Sequence, residues 1–387
     1  MDSALKPSEQ RAIEAAVNFA TDTIAPNAAG WEQQRHLPPE GIRPAAAAGL
    51  TGLLLAEDLG GGGLSKTAMA RVMEELSRAD MAYAFVLVVQ NNFMNAIAQG
   101  GSRAQRERYL PGMLSGDCLG AFLLTEPQSG SDAANVTTTA RRDGGGWILN
   151  GAKAWVTSAA SADLLSVYAQ TDAALGWRGI AAFMIEAEHP GVIRETPYST
   201  MGAHVMGTGG FRFADCRVDD DAILYPPGEG FKGALAGIDL ARANVAAMCC
   251  GMLANSLDVA LVHIMDRHAF GQRMADFQGL QWQLADVATD LHATRLMAYA
   301  ATRAIDAGTP AAIPAAHAKK FAARAALKGI AVSRLTNVRL FTDDAHILID
   351  AFKEASLARV FVLFPDPWPK ARHAKRRFIS GPTLDAL

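Results

Sequence analysis

Two short stretches set the architecture of this chain: Phe122-Leu123-Leu124-Thr125-Glu126-Pro127 and, further along, Lys153-Ala154-Trp155-Val156-Thr157-Ser158. The first stretch and the Gly130-Ser131-Asp132 turn after it place hydroxyl and backbone donors at the end of a strand, which suits the carbonyls or phosphates of a cofactor. In the second stretch, alternate side chains of a strand share a face, so we expect Trp155 and Thr157 to flank a planar ring together. Each stretch alone also fits a plain turn or a half-buried tryptophan, but the two in this order favour a cofactor site.

The surrounding sequence places both stretches in a β domain between two helical domains. Ala, Leu, Met and Glu are frequent up to about residue 118, and short runs separated by turn residues follow. We therefore predict an α+β fold. Its parts are an N-terminal helical domain, a middle β-barrel or sandwich domain, a C-terminal helical bundle and a last segment with two strand-like runs, over residues 1–118, 119–228, 229–331 and 332–387.

The C-terminal bundle is predicted from apolar residues that recur every three or four positions. They run from Val245 to Val259 and again from Leu280 to Ile305, which indicates two long packed helices. Such a seam is either core or a subunit interface. The order of helical, β and helical parts excludes a repeat protein and a single doubly wound sheet.

The composition is that of a folded protein without a general attraction for nucleic acid. The 387 residues are 50% hydrophobic and 19% charged, and 36 Lys and Arg stand against 39 Asp and Glu, giving a net charge of −3. This balance excludes a disordered chain and a basic field over the whole surface.

The sequence predicts a cytoplasmic protein that does not enter a membrane. The N-terminus has no signal pattern, and apolar stretches such as Met81 to Val89 are interpreted as too short to span a bilayer. The run Gly60 to Gly63 lacks the Lys-Ser/Thr of a phosphate loop and is expected to be a flexible connection. Without a Cys-x-x-Cys pair, the cysteines predict small buried side chains rather than disulfides or a metal site: Cys118, Cys216, Cys249 and Cys250.

The two opening stretches, together with further landmarks in the same order, resemble the acyl-CoA dehydrogenase family over about residues 1–331. The landmarks are Glu75-Leu76-Ser77-Arg78, Met206-Gly207-Thr208-Gly209-Gly210-Phe211, Gly228-Glu229-Gly230-Phe231-Lys232 and Arg267-His268-Ala269-Phe270-Gly271 with Gln278. The resemblance implies FAD and an acyl-CoA thioester, with loss of a proton from the α carbon and transfer of a hydride from the β carbon to the flavin. It also implies a homo-oligomer, either a dimer or a tetramer, and an electron-transfer flavoprotein as acceptor.

The resemblance assigns site residues one by one. Those that would line the flavin ring are Phe122, Leu124, Thr125, Trp155 and Thr157. Ser131 would hydrogen-bond the cofactor or the substrate. Those that would meet the FAD of a neighbouring subunit are Arg267, Phe270 and Gln278. Two further residues, Asp239 and Arg242, occupy positions that contact the substrate in relatives.

The catalytic base of the family is not found, and the catalytic residue is therefore unknown. The family uses a glutamate near the C-terminus or on the helix after the β domain, and this chain has Ala241 at the second position. The likeness fades after Ala326-Leu327-Lys328-Gly329-Ile330-Ala331, before the segment that carries the C-terminal glutamate. We therefore expect an impaired dehydrogenase with an incomplete bundle, or a non-catalytic protein that binds flavin or CoA.

The last segment, about residues 335–387, resembles part of a tRNA (guanine-N7)-methyltransferase. The likeness rests on Asn337 to Ala345, on Leu363-Phe364-Pro365-Asp366-Pro367-Trp368-Pro369-Lys370 and on the basic run that follows. It implies that Asp344 contacts S-adenosylmethionine, that Asp366 is the catalytic acidic residue and that Lys370 binds substrate, with tRNA as partner. The first strand and the glycine-rich turn of such an enzyme are missing upstream, so we interpret the chain as a composite that ends in a short α/β fragment.

Overall fold

The computed structural model describes residues 5–332, in which the predicted order of helical, β and helical domains is confirmed. The predictions for Asp344, Asp366 and Lys370 concern residues outside the described part of the chain. The N-terminal domain contains a short π-helix, Ala20–Ile24, and six α-helices: α1 Pro7–Phe19, α2 Ala25–Gln34, α3 Arg43–Ala47, α4 Lys66–Ala79, α5 Met81–Gly100 and α6 Arg103–Ser115.

Polar side chains fix the starts of the main N-terminal helices. The Ser65 hydroxyl accepts the backbone N–H of Ala68 at the start of α4, and the Asp80 carboxylate accepts the N–H of Ala82 at the start of α5. These caps satisfy donors that the first turn of a helix leaves unpaired. The short link between α4 and α5 is therefore set by sequence, and it directs both helices into one core.

The β domain is a sheet of eight strands: β1 Gly120–Leu123, β2 Thr139–Asp143, β3 Gly146–Val156, β4 Leu164–Gln170, β5 Ile180–Glu186, β6 Val192–Arg194, β7 Gly209–Asp219 and β8 Ile223–Tyr225. The strand order is β6-β7-β3-β2-β4-β5-β8, and β1 pairs with β4 in parallel outside this path. All seven residues of β4 are buried, because one face of the sheet forms the β-domain core and the other packs against the helices.

Up to residue 332, the C-terminal part has three long helices rather than the two predicted: α7 Gly230–Asp266, α8 Gln278–Asp306 and α9 Ala312–Val332. A hairpin of β9 His268–Ala269 and β10 Gln272–Arg273 links α7 to α8. The predicted seam is largely buried, with Met248, Leu291 and Ala298 in the core, but Val259 is 57% exposed. The third helix was missed because its buried face is mostly alanine, which gives a weak apolar period.

Two expectations are wrong. The Gly60 to Gly63 run is a packed turn: the Gly62 and Gly63 N–H groups donate to the carbonyls of Gly52 and Leu55, and a Cβ on Gly61 would lie 2.3 Å from Leu55 Cβ. The apolar stretches are also longer than predicted. By length and composition alone, α5 and α7 could cross a membrane, although 61% and 56% of their most apolar windows are buried against the rest of the described chain. Such burial is typical of core helices.

The cysteine prediction is confirmed for three of the four side chains. Cys216, Cys249 and Cys250 are buried, whereas Cys118 is half-buried, and all four are free thiols. Burial raises the pKa of the Cys249 thiol to about 12. These thiols are therefore packed as small apolar groups.

Candidate functional site

A buried ion pair joins the two stretches with which the sequence analysis began. Lys153 Nζ lies 2.8 Å from Glu126 Oε1, and neither side chain is more than 1% exposed. Lys153 Nζ also donates to the carbonyl of Leu124 at 3.1 Å, and the N–H of Ala154 donates to the carbonyl of Thr125 at 2.9 Å. The turn after β1 is therefore held against β3 along its length.

The Glu126 carboxylate also organises the loop between β1 and β2. Oε2 accepts the N–H of Thr137 at 2.8 Å and its hydroxyl at 2.7 Å, and Oε1 accepts the N–H of Thr138 at 2.9 Å. Burial alone raises the pKa of this carboxyl, but the Lys153 ammonium and these hydrogen bonds outweigh it and lower the pKa of Glu126 to about 2. The carboxylate is therefore ionised at neutral pH and serves as a structural anchor.

Three hydroxyls at the predicted cofactor site are free to bind a ligand. Within residues 5–332, the hydroxyls of Thr125, Ser131 and Thr157 have no hydrogen-bond partner, and the buried Ser158 hydroxyl next to Thr157 also has none. The neighbouring Ser129 hydroxyl, by contrast, donates to the carbonyl of Asp132. Neutral donors without partners fit the carbonyls and phosphates of FAD, so the donor set suits the implied cofactor.

Trp155 is presented by a distortion of β3 rather than by the regular pleat. The pairing of β3 with β7 shifts register between Lys153 and Val156, and Trp155 has a φ of 57°. The expectation that Trp155 and Thr157 share one face of a strand is wrong, because β3 ends at Val156. The bulge instead turns the indole outward to 59% exposure, with Tyr198 packed edge-on at 4.8 Å between ring centroids.

The other two residues predicted to line the flavin lie on or next to β1. Phe122 is half-buried and its ring centroid is 5.0 Å from that of Tyr168, while Leu124 is 5% exposed. Both pack on the side of the sheet that faces the helices. Their role in binding stays a prediction.

The predicted substrate residues lie near the start of α7. Asp239 and Arg242 form an ion pair with 3.0 Å between Oδ1 and Nη1, one helical turn apart, and both are half-buried. Ala241 lies between them and is also half-buried. Its methyl group has no proton-accepting atom, so the acceptor on this turn is the Asp239 carboxylate that is paired with Arg242.

The residues predicted to meet a neighbouring FAD lie at the opposite end of α7. Arg267 caps the helix, Phe270 in the hairpin is 98% exposed with a φ of 52°, and Gln278 begins α8. At 1.5 Å per residue, about 40 Å of helix separates Arg267 from Arg242. Arg267 therefore lies far along α7 from the predicted substrate residues Asp239 and Arg242.

A cavity of about 320 Å³ borders the site on the side of Tyr198. It is lined by Arg35, Pro197, Tyr198, Ser199, Thr200, His204, Gly207 and Thr208. Sequence reasoning did not predict this cavity or the Glu126–Lys153 pair, since the partners are far apart in sequence. The only signal for the pair was that each member lies inside one of the two quoted stretches.

Comparison with known proteins gives consecutive matches along the chain. Models for the N-terminal, middle and C-terminal domains of acyl-CoA dehydrogenases match residues 6–117, 121–216 and 228–332. A model described as a putative methyltransferase matches residues 317–387. The match confirms the methyltransferase-like segment, which begins earlier than the predicted residue 335 and overlaps α9.

Individual relatives agree with these matches. The human mitochondrial short-chain specific acyl-CoA dehydrogenase is 35% identical over 83% of this chain and 78% of its own length. A structure described as the electron transferring flavoprotein of Acidaminococcus fermentans has a TM-score of 0.83 at 33% identity, over 86% of this chain and 88% of that chain. A glutaryl-CoA dehydrogenase from Mycobacterium smegmatis in complex with FADH2 has a TM-score of 0.80 at 28% identity, over 85% and 84%. The chain belongs to the acyl-CoA dehydrogenase family.

Proposed function

We propose that this chain carries out α,β-dehydrogenation of an acyl-CoA thioester with FAD as hydride acceptor. The observation that carries the proposal is the anchoring of the two opening stretches by Glu126 and Lys153, which leaves unpartnered hydroxyls beside an exposed indole. Family membership supports the reaction class, an oxidation at a CH–CH bond. The complex of a structural relative with FADH2 supports the flavin.

Different residues would bind the cofactor and the substrate. The hydroxyls of Thr125 and Thr157 would donate to the polar edge of the flavin, while Trp155 would cover one side of the ring. Ser131 would donate to the cofactor or the substrate, and the Asp239–Arg242 pair would contact the substrate from α7. When bound, FAD takes up the hydride that leaves the β carbon.

Removal of the α proton is the step for which the described residues offer least. Ala241 has no acid–base function, and the nearby Asp239 carboxylate is paired with Arg242. A missing general base lowers a rate by roughly 10²-fold to 10⁴-fold. We therefore propose a slow dehydrogenase, with a non-catalytic flavin or CoA binder as the alternative.

We propose that a second copy of the chain completes the FAD site. Arg267, Phe270 and Gln278 are exposed, and Arg267 lies about 40 Å along α7 from Arg242, so we assign the three residues to the cofactor of another subunit. The exposed apolar side chains nearby support this arrangement: Val259, Val262, Met265 and Trp282. An electron-transfer flavoprotein is the proposed acceptor and the cytoplasm the proposed location.

The deciding experiment follows the visible flavin spectrum of the purified full chain anaerobically during addition of short and medium acyl-CoAs. A yellow protein that bleaches supports the dehydrogenase. A yellow protein that binds acyl-CoA without bleaching supports the non-catalytic alternative. A colourless protein that takes up no added FAD contradicts both.

A second candidate function, methyl transfer to tRNA, is favoured by the methyltransferase match over residues 317–387. Under this reading, Asp344, Asp366 and Lys370 would serve S-adenosylmethionine, catalysis and substrate. The test is methyl transfer from labelled S-adenosylmethionine to tRNA, together with retention of the chain on tRNA that weakens steeply with salt. Absence of both would reject this candidate.

A further inference from the structure

The cavity beside Tyr198 lies where the β domain meets the end of α2, and its walls are held in place. The turn that follows Tyr198 enters the core of the N-terminal helices, in which Val205 is 1% exposed. The Glu32 carboxylate of α2 accepts the His204 backbone N–H through Oε2 at 2.8 Å, and its Oε1 lies 2.8 Å from His204 Nδ1. A ligand would therefore meet a pre-organised cavity and would not have to order its walls.

The side chains that line the cavity have hydrogen-bond donors that nothing in residues 5–332 uses. The hydroxyls of Thr200 and Thr208 have no partner there. The Ser199 hydroxyl accepts a hydrogen bond from Arg35 Nη2 at 3.2 Å, which leaves its own proton free to donate. Within the same residues Arg35 forms no ion pair, so its guanidinium keeps further N–H groups for a ligand.

The hydrogen-bond acceptors around the cavity are, by contrast, already engaged. The carbonyls of Tyr198 and Thr208 accept the N–H groups of Thr200 and Tyr198, at 3.0 and 2.8 Å. His204 Nε2 lies 2.8 Å from the Thr200 carbonyl and Nδ1 faces Glu32, so neither ring nitrogen is open to a ligand. Among the described residues, no Asp or Glu lines the cavity. Free donors beside engaged acceptors suit a ligand that is rich in acceptors, such as an anion.

The backbone of Arg35 has a conformation that is unusual for arginine. Arg35 ends α2 in the left-handed region with a φ of 64°, and its N–H donates to the Trp31 carbonyl at 2.9 Å. Glycine or asparagine is usual at such a position, because a Cβ is unfavourable there. Non-glycine residues in this region cluster at ligand-binding and active sites. The conformation is therefore a second observation, beside the cavity itself, that points to Arg35 as a binding residue.

The donor set fits the oxygens of a phosphate group. A guanidinium binds a carboxylate or a phosphate through two parallel N–H···O bonds. A carboxylate has no third oxygen for the hydroxyls of Ser199, Thr200 and Thr208, whereas a phosphate does. The cavity volume of about 320 Å³ is at the lower end of the range for small-molecule sites, so an organic group attached to the phosphate can also be accommodated.

We propose that this cavity binds a phosphate group, free or carried by a small organic molecule, through Arg35 and the hydroxyls of Thr200 and Thr208. The site is separate from the flavin and acyl-CoA sites proposed above, but it shares a wall with one of them. The Tyr198 ring lines the cavity and packs edge-on against the Trp155 indole, with 4.8 Å between ring centroids. Occupancy of the cavity should therefore change the emission of Trp155.

The first test is a calorimetric titration of the purified full chain with inorganic phosphate at constant ionic strength, for which we expect a saturable site. Arg35→Gln should raise the dissociation constant at least about tenfold, because charge-assisted hydrogen bonds are lost. Thr208→Val should raise it about 3- to 10-fold through loss of a neutral donor. The controls Arg11→Gln and Thr196→Val should bind like the parent, because both residues are exposed and lie outside the cavity lining.

A second measurement locates the ligand and identifies its source. The emission of Trp155 is isolated as the difference between each protein and its Trp155→Phe counterpart, and phosphate should change it with the dissociation constant found by calorimetry. Tighter binding of glycerol 3-phosphate than of inorganic phosphate would assign the site to a phosphomonoester, and equal binding would assign it to the free ion. Acetate should bind at least about tenfold more weakly, because it lacks the third oxygen.

The proposal would be overturned by the absence of saturable phosphate binding, by equal dissociation constants in Arg35→Gln and Arg11→Gln, or by acetate binding as tightly as phosphate. Displacement of phosphate by FAD or by CoA would also overturn it, since the cavity would then be part of the cofactor and substrate site. Failure of the chain to bleach with acyl-CoA would contradict the proposed function alone, because the phosphate titration needs no acyl-CoA.

Discussion

The ammonium of Lys153 and the carboxylate of Glu126 meet at 2.8 Å inside the β domain, with both side chains essentially excluded from solvent. A buried pair of this kind is strongly destabilised when one member is removed, because the other is left as an uncompensated charge. The pair is also the contact that draws the turn after β1 onto β3. Loss of the Glu126–Lys153 pair should therefore both destabilise the fold and displace the turn at the candidate site.

Replacement of Lys153 tests this link. Lys153→Met should lower the free energy of unfolding by about 3–5 kcal/mol, since Glu126 would keep its hydrogen bonds but lose its counter-charge. Urea unfolding measures the change. The control is Glu107→Gln, which breaks an exposed pair with Arg103 and should change stability by only about 0.5 kcal/mol. Equal effects of the two variants would contradict this account.

The ionised Glu126 carboxylate should make the free energy of unfolding sensitive to acid. The folded-state pKa of Glu126, about 2, lies below the unfolded value of about 4.3, so its stabilisation is complete above about pH 4.5 and is lost as the pH falls toward 2. The loss should amount to roughly 3 kcal/mol. Urea unfolding over this pH range should give a shallower decline for Glu126→Gln than for the parent. Parallel declines would show that Glu126 does not carry the effect.

A second buried carboxylate joins the N-terminal domain to the bundle. Glu74 of α4 is 3% exposed, accepts Arg295 Nε at 2.7 Å and is hydrogen-bonded by the Tyr299 hydroxyl. Tyr299→Phe should lower the free energy of unfolding by about 1.5–3 kcal/mol, the usual range for a hydrogen bond to a charged group. Tyr109→Phe is the matched control, because within the described residues the Tyr109 hydroxyl has no hydrogen-bond partner. A similar loss in both variants would argue against a specific bond.

Because position 241 has alanine where some family members have a glutamate base, a glutamate introduced there should raise the rate of dehydrogenation. Ala241→Glu places a carboxylate on the turn of α7 that carries Asp239 and Arg242, and anaerobic bleaching by acyl-CoA should become at least about 10²-fold faster. Ala241→Gln has the same shape without a base and should leave the rate unchanged. Equal rates in the two variants would mean that this position does not reach the α carbon.

Local sequence pattern was enough to predict candidate site residues but not the contacts that depend on distant partners. Thr125 was predicted because hydroxyls after a strand form a readable pattern, whereas Thr157 was placed on a strand that ends at Val156. The bulge at Trp155 was not predicted, because a register shift depends on the pairing of β3 with β7. Likewise, nothing in the sequence around Glu32 indicates His204, since the two residues meet only when the β domain docks on α2.

In the C-terminal bundle, too, the sequence predicted local features and missed those that depend on packing. Regular apolar spacing predicted α7 and α8, including the burial of Leu291 and Ala298, but it could not tell which part of α7 would lack a neighbour. Val259 has the same spacing as the buried residues and is exposed. Periodicity fixes the face of a helix, whereas exposure depends on what packs against that face.

Helix α9 is the element in which the two family matches meet. Its residues 317–332 are matched both by the dehydrogenase C-terminal model and by the methyltransferase model, so the two likenesses overlap within this helix. Its buried side chains are small: Ala315, Ala318, Ala322, Ala325 and Ala326. An alanine face packs through close backbone approach and asks little of side-chain shape, so this helix can pack in the dehydrogenase bundle while its sequence also matches a second family.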